Sequence, residues 1–133
     1  MTPDGKYIFA VDFDGTLMKG NTWPDVDGIV DIDLIVYLIK EQDKGHKIIL
    51  NTCRTGRHLQ DAVDVAKAYG LVFDAVNENL PEMIEAYQGD CRKISADFYI
   101  DDKAVDPRVQ NWNMLNRYNM SLITDSFVTE EKK

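Results

Sequence analysis

Four aspartates stand where carboxylates can act together. Asp12 and Asp14 follow the apolar run Tyr7 to Val11, separated by Phe13 and backed by Gly15, and Asp101 and Asp102 follow a second run that ends at Ile100. Carboxylates so placed can attack, move protons or ligate a hard cation. Four of them in one cleft raise one another's pKa, and a divalent ion relieves that repulsion. Mg²⁺ suits a site with few protein ligands, because it keeps several of its waters. An isolated pair is ordinarily a solvated turn or a helix cap, but two pairs at the ends of two apolar strands call for another explanation. An EF-hand does not fit, since Gly15 follows Asp14 directly and no glutamate closes the loop.

The elements that must position these residues are legible as alternating strands and helices. Residues 6 to 11 form a buried strand, and residues 15 to 28, with three glycines and a proline, form a loop. Asp31 caps a helix whose apolar face is Leu34, Ile35, Leu38 and Ile39, and Gly45 stops it. Lys47 to Leu50 is a second strand. A polar turn carrying Thr52 and Arg54 leads into a helix from about Arg57 to Tyr69, with Leu59, Ala62, Val63 and Ala66 inward and Gly70 at its end. Residues 71 to 76 make a third strand, and Pro81 opens a short helix. A loop with Arg92 and Lys93 precedes the fourth strand, Asp97 to Ile100. A helix opening at Pro107 and running through Trp112 and Leu115, a further strand near Ser121 to Ile123, and a frayed end at 129 to 133 complete one domain over residues 1 to 133.

Strands joined by helical crossovers pair in parallel, so the expected fold is α/β, a three-layer Rossmann-like sandwich with a mainly parallel sheet in the order 3-2-1-4. Strands one and four are then neighbours at the switch point, where the loops diverge and a crevice opens beyond the carboxyl ends. Both acidic pairs, and Thr52 with Arg54, fall at that edge.

The stretch "FAVDFDGTL" resembles the first signature of the haloacid dehalogenase (HAD) superfamily of phosphotransferases, an apolar strand followed by Asp-x-Asp-x-Thr. The later signatures follow in order: Thr52 in "ILNTCR", Lys93 in "CRKISADFYI", and the acidic pair in "YIDDKA". The resemblance implies a phosphomonoester hydrolase. Asp12 would be the nucleophile that forms an aspartyl-phosphate, and Asp14 the general acid and base. Thr52 would hold a phosphoryl oxygen and Lys93 would neutralise its charge. Mg²⁺ would lie on Asp12, the backbone carbonyl of Asp14, and Asp101 and Asp102, either of which could be the direct ligand. Lys103 is a rival lysine, but it follows the acidic pair, where the family pattern does not place one. Gly15, Thr16, Cys53 and Arg54 are expected beside the substrate: Gly15 turns the chain, Thr16 holds that turn, and Arg54 can grip an anion bidentately. Strand alternation nevertheless turns the Cys53 side chain away from Thr52, toward the core.

One loop and one helix separate Thr16 from Thr52, and two helices with a short strand separate Thr52 from Lys93. Neither gap has room for a cap domain, so the chain resembles the capless branch, and "NENLPEMIEAYQGDCRKISADFYIDDKA" resembles small HAD-like hydrolases of bacteria and their phages. An open site admits a bulky substrate or takes a neighbouring subunit of a homo-oligomer as its lid. Trp23 and Pro24 stand near the entrance, where Trp23 either stacks on a base or sugar or braces the loop from inside. His58 begins a helix near the cleft, and His46 lies at the opposite end of the sheet, solvated.

A net charge of −8 argues against nucleic acid and acidic membranes as partners, and a small anionic substrate would need local cations. The family resemblance implies such a substrate, a small phosphorylated one such as a nucleotide or sugar phosphate. The two cysteines lack metal-ligand spacing, no leader or membrane-length apolar run is read, and a cytoplasmic location is expected. A receiver domain would need its phosphorylated aspartate where Asn51-Thr52-Cys53 stands. A dinucleotide-binding module would need a glycine-rich turn where Asp12 and Asp14 stand. The alternative that survives is a catalytically silent HAD-like protein that binds metal or phosphate and serves interaction.

Overall fold

A computed structural model of the chain describes residues 1 to 20 and 22 to 103. The helix expected from Pro107, the strand near 121 to 123 and the end at 129 to 133 lie outside the described residues. Met1–Asp102 forms one compact unit.

Among the described residues, six strands and three helices follow in order: β1 (Ile8–Val11), β2 (Met18–Lys19), β3 (Ile29–Val30), α1 (Ile32–Asp43), β4 (Lys47–Leu50), α2 (Gly56–Ala68), β5 (Ala75–Val76), α3 (Pro81–Tyr87) and β6 (Phe98–Ile100). Four of the strands form a sheet in the order β5-β4-β1-β6, every neighbouring pair parallel. This is the α/β Rossmann-like architecture and the strand order that the crossover pattern predicts. Its register decides where the loops emerge. Val11 lies opposite both Leu50 and Ile100, so β1, β4 and β6 end at one level. The ladder runs one residue further, with Asp12 N–H donating to Ile100 O at 2.9 Å and Asn51 N–H to Val11 O at 2.8 Å.

Side-chain alternation along these strands builds two cores. Phe9, Val11, Ile48 and Leu50 face α1 and α2, where Ile35, Leu38, Ala62 and Ala66 are buried against them. Ile8 and Ile49 face the other way, toward Leu80 and Met83 at α3. The helix boundaries follow their caps. Asp31 accepts from Leu34 N–H at 3.1 Å, Gly45 adopts φ 96° just past α1, and Pro81 occupies the first turn of α3.

Two elements differ from expectation. The 15 to 28 loop pairs with the residues just after it in an antiparallel ribbon, Met18 opposite Val30 and Lys19 opposite Ile29. A pairing two residues long leaves no alternating pattern to detect. The third strand is only Ala75–Val76, because Asp74 supplies the preceding pairing with its side chain, accepting from Ile48 N–H at 2.7 Å. Asp97 does the same for Ile8 N–H at 2.8 Å on the opposite side of β1, which is why β6 begins at Phe98.

Candidate active site

Because β1 and β6 end together, Asp12 and Asp101 emerge side by side. Carboxylate oxygens of Asp12, Asp101 and Asp102 lie within 4.8 Å of one another. Asp12 is half-buried, the other two are exposed. Burial, reinforced by the negative charges of Asp101, Asp102 and Asp14, pushes the Asp12 carboxyl up to about 6 against a hydrogen bond from Phe13 N–H that favours the ionised form.

The turn after Asp12 is fitted to this cluster. Gly15 has φ 82°, and a Cβ there would stand 2.7 Å from the carboxylate carbon of Asp102, so only glycine allows both the turn and the approach. Thr16, buried, accepts a hydrogen bond from Asp102 N–H at 3.0 Å. Through this bond the Thr16 hydroxyl ties the β1 loop to the end of β6.

Asp14 points elsewhere. Its two oxygens accept from Arg54 Nε and Nη2, both at 2.8 Å. Arg54 is 1% exposed, and its remaining N–H groups go to the carbonyls of Pro24, Asp25 and His58 at 3.0, 2.7 and 3.3 Å. The guanidinium carbon lies 4.9 Å from the Phe13 ring centroid and 5.2 Å from that of Trp23. The bond to Asp14 raises the Arg54 pKa further above its ordinary range. All five donors are therefore engaged by protein, and the expected grip of Arg54 on a substrate anion is replaced by a grip on Asp14.

Thr52 Oγ1 accepts from Arg54 N–H at 3.2 Å, which leaves the hydroxyl proton available to donate, and its own N–H donates to Asn77 Oδ1 at 2.8 Å. Cys53 is exposed, not core, because the chain leaves the strand at Leu50 and alternation no longer governs it. Lys93 is exposed, with Nζ 5.7 Å from the centroid of the Tyr99 ring. Lys103, next in sequence after the acidic pair, is exposed.

Residues that the motif reading passed over hold this edge together. Asn79 is buried; its amide donates to the carbonyls of Cys91 and Lys93 at 3.1 and 3.2 Å and to Asp90 at 3.1 Å, and its oxygen accepts from Ser95 N–H at 2.7 Å. It thus shapes the loop that carries Lys93. Two asparagines placed directly after the third strand, Asn77 and Asn79, were the available signal. His46, expected to be solvated, is half-buried, accepts from Tyr7 N–H at 3.0 Å and packs on the Tyr7 ring. His58 is exposed, with its ring edge-on to Trp23 at 5.0 Å. Trp23 is 54% exposed, so it does not brace the loop from inside. Among the described residues no helix is long and apolar enough to cross a membrane.

No protein-family model matches the chain, and no curated protein does. A solved structure, that of a conserved protein coded by a locus of Bacteroides thetaiotaomicron, is 31% identical with a TM-score of 0.66, over 93% of this chain and 98% of that one. Likeness at that level across nearly the whole of both chains shows common descent, and the chain belongs to the family of that conserved Bacteroides thetaiotaomicron protein.

Proposed function

We propose that the protein is a Mg²⁺-dependent HAD-like phosphomonoester hydrolase that works through an aspartyl-phosphate on Asp12. The observation that carries this reading is the meeting of Asp12 with Asp101 and Asp102 at the ends of adjacent parallel strands. The donor set is entirely hard oxygen and suits Mg²⁺, with the Asp14 carbonyl as a further oxygen. The ion would offset the clustered negative charge and polarise the phosphoryl group.

In the first step an Asp12 oxygen attacks phosphorus, the bond from phosphorus to the leaving oxygen breaks, and Asp14 in its acid form gives that oxygen a proton. In the second, Asp14 takes a proton from water as the water attacks phosphorus. The bond from phosphorus to Asp12 then breaks, releasing phosphate and restoring both side chains for the next cycle. The Asp14 side chain is 36% exposed, and each oxygen held by Arg54 keeps a second lone pair that can accept a hydrogen bond from the leaving alcohol or from water. Thr52 donates to a phosphoryl oxygen. Lys93 is held on Tyr99 by an exposed cation–π contact worth ~0.5 to 1 kcal/mol, which a doubly charged phosphoryl group outcompetes.

Phosphate release from p-nitrophenyl phosphate, with and without Mg²⁺, tests this. Wild type is expected to turn over only with the ion, and Asp12→Asn to lose at least ~1000-fold in kcat; equal rates in the two proteins would sink the assignment. One observation favours the silent alternative: pairing with Arg54 gives Asp14 a structural role that a non-catalytic binder would also keep. That reading expects Mg²⁺ to bind without turnover of any phosphoester.

A further inference from the structure

Trp23 is the large exposed aromatic of the entrance loop, and one residue, Arg54, contacts both its ring and Asp14. The same guanidinium that holds the Asp14 carboxylate through two bonds at 2.8 Å lies 5.2 Å from the Trp23 ring centroid. His58 sets its ring edge against the indole, and Arg54 bonds the carbonyls of Pro24 and Asp25 directly after it. The ring is therefore held in place while 54% of the residue's surface stays in water. A tryptophan used only for packing would bury that area. One already ordered by its neighbours stacks on a ligand without a further ordering cost.

Asp14 fixes which part of a substrate passes over this ring. On the hydrolase reading, on which this inference rests, Asp14 protonates the leaving oxygen, so the leaving alcohol lies on the Asp14 side and the phosphoryl group on the Asp12 side. We infer that Trp23, edged by His58, is a stacking ledge for a flat aromatic ring carried by the leaving alcohol, which makes a nucleoside monophosphate the substrate class. The exposed Asp25 and Asp27 of the same loop disfavour a leaving group with further negative charge, so the monophosphate is preferred to a di- or triphosphate.

A nucleoside 5′-monophosphate and ribose 5-phosphate share the same primary leaving alcohol and differ in the base. Wild type is expected to show a KM roughly tenfold lower for the nucleotide, the scale of one base stacked on an aromatic ring. Trp23→Ala should raise the nucleotide KM by about the same factor, leave ribose 5-phosphate within about twofold, and be rescued largely by Trp23→Phe. Free nucleoside should compete with p-nitrophenyl phosphate in wild type, a measurement that needs no variant. Equal efficiency on the two sugar phosphates, or no competition by nucleoside, overturns the ledge and leaves the phosphatase standing. If no phosphoester is turned over, the hydrolase reading fails by itself. Calorimetric titration of the two ligands into wild type then decides the ledge, and equal affinity overturns it.

Discussion

Arg54 joins, through one side chain, the turn after β4, the acid of the β1 loop and the backbone under Trp23. Replacing it by methionine would keep much of its bulk while leaving the Asp14 carboxylate and three carbonyls without their donor. A stability loss of about 3 kcal/mol is expected, at the low end for a broken buried pair because the Asp14 side is a third exposed. Chemical unfolding measures it, and kcat should fall with KM for ribose 5-phosphate nearly unchanged, since Arg54 positions Asp14 and does not hold the phosphoryl group. Arg54→Lys should rescue little, because three donors on a flexible stem do not replace a planar fork of five. A large rise in KM with kcat intact would restore the substrate-gripping role that the sequence suggested. The meeting of Asp12, Asp101 and Asp102 was legible because these residues end two apolar runs, but the turning of Asp14 from that cluster to Arg54 was not. A bond across forty residues leaves no trace in local pattern.

At the scale of elements, the loop of residues 90 to 95 depends on Asn79. Asn79→Ala leaves Ser95 N–H and the carbonyls of Cys91 and Lys93 without their partner, and the expected cost is ~1 to 3 kcal/mol. Amide exchange in residues 90 to 95 should quicken selectively, and kcat/KM should fall as Lys93 loses its placement. Unchanged exchange in that segment would contradict the assignment. The helices were readable from their apolar faces and caps, and β1 and β4 from unbroken apolar runs. The Met18–Lys19 ribbon and the shortness of β5 were not, because their pairing rests on two-residue ladders and on the Asp74 carboxylate in place of backbone.

For the whole molecule, sheet order and common strand ends concentrate negative charge at one edge, and that concentration has a pH signature. The Asp12 carboxyl sits near 6 when folded against 3.8 when free, so between these values the folded chain binds the proton more tightly. Stability from this group is present below pH 4 and is lost as pH rises through 6. Without metal, Asp12→Asn should therefore melt higher than wild type at pH 8, and the difference should shrink toward pH 4. Comparing the two proteins cancels the carboxylates that do not couple to Asp12. Mg²⁺ should raise the wild-type Tm more at pH 8 than at pH 5, and a pH-independent difference would remove Asp12 from the cluster's electrostatics.

The covalent step is the most direct test of the chemistry. Asp14→Asn should still let Asp12 attack an activated phosphoester but slow release of the phosphoryl group by water, so a phosphoenzyme should accumulate. Acid-quenched protein, incubated with p-nitrophenyl phosphate and Mg²⁺, is then examined by intact mass and peptide mapping. A gain of one phosphoryl group, mapped to Asp12 and absent from Asp12→Asn, is the expected result. Wild-type turnover with no phosphoenzyme trapped in Asp14→Asn, or with the phosphoryl group on another residue, would contradict it.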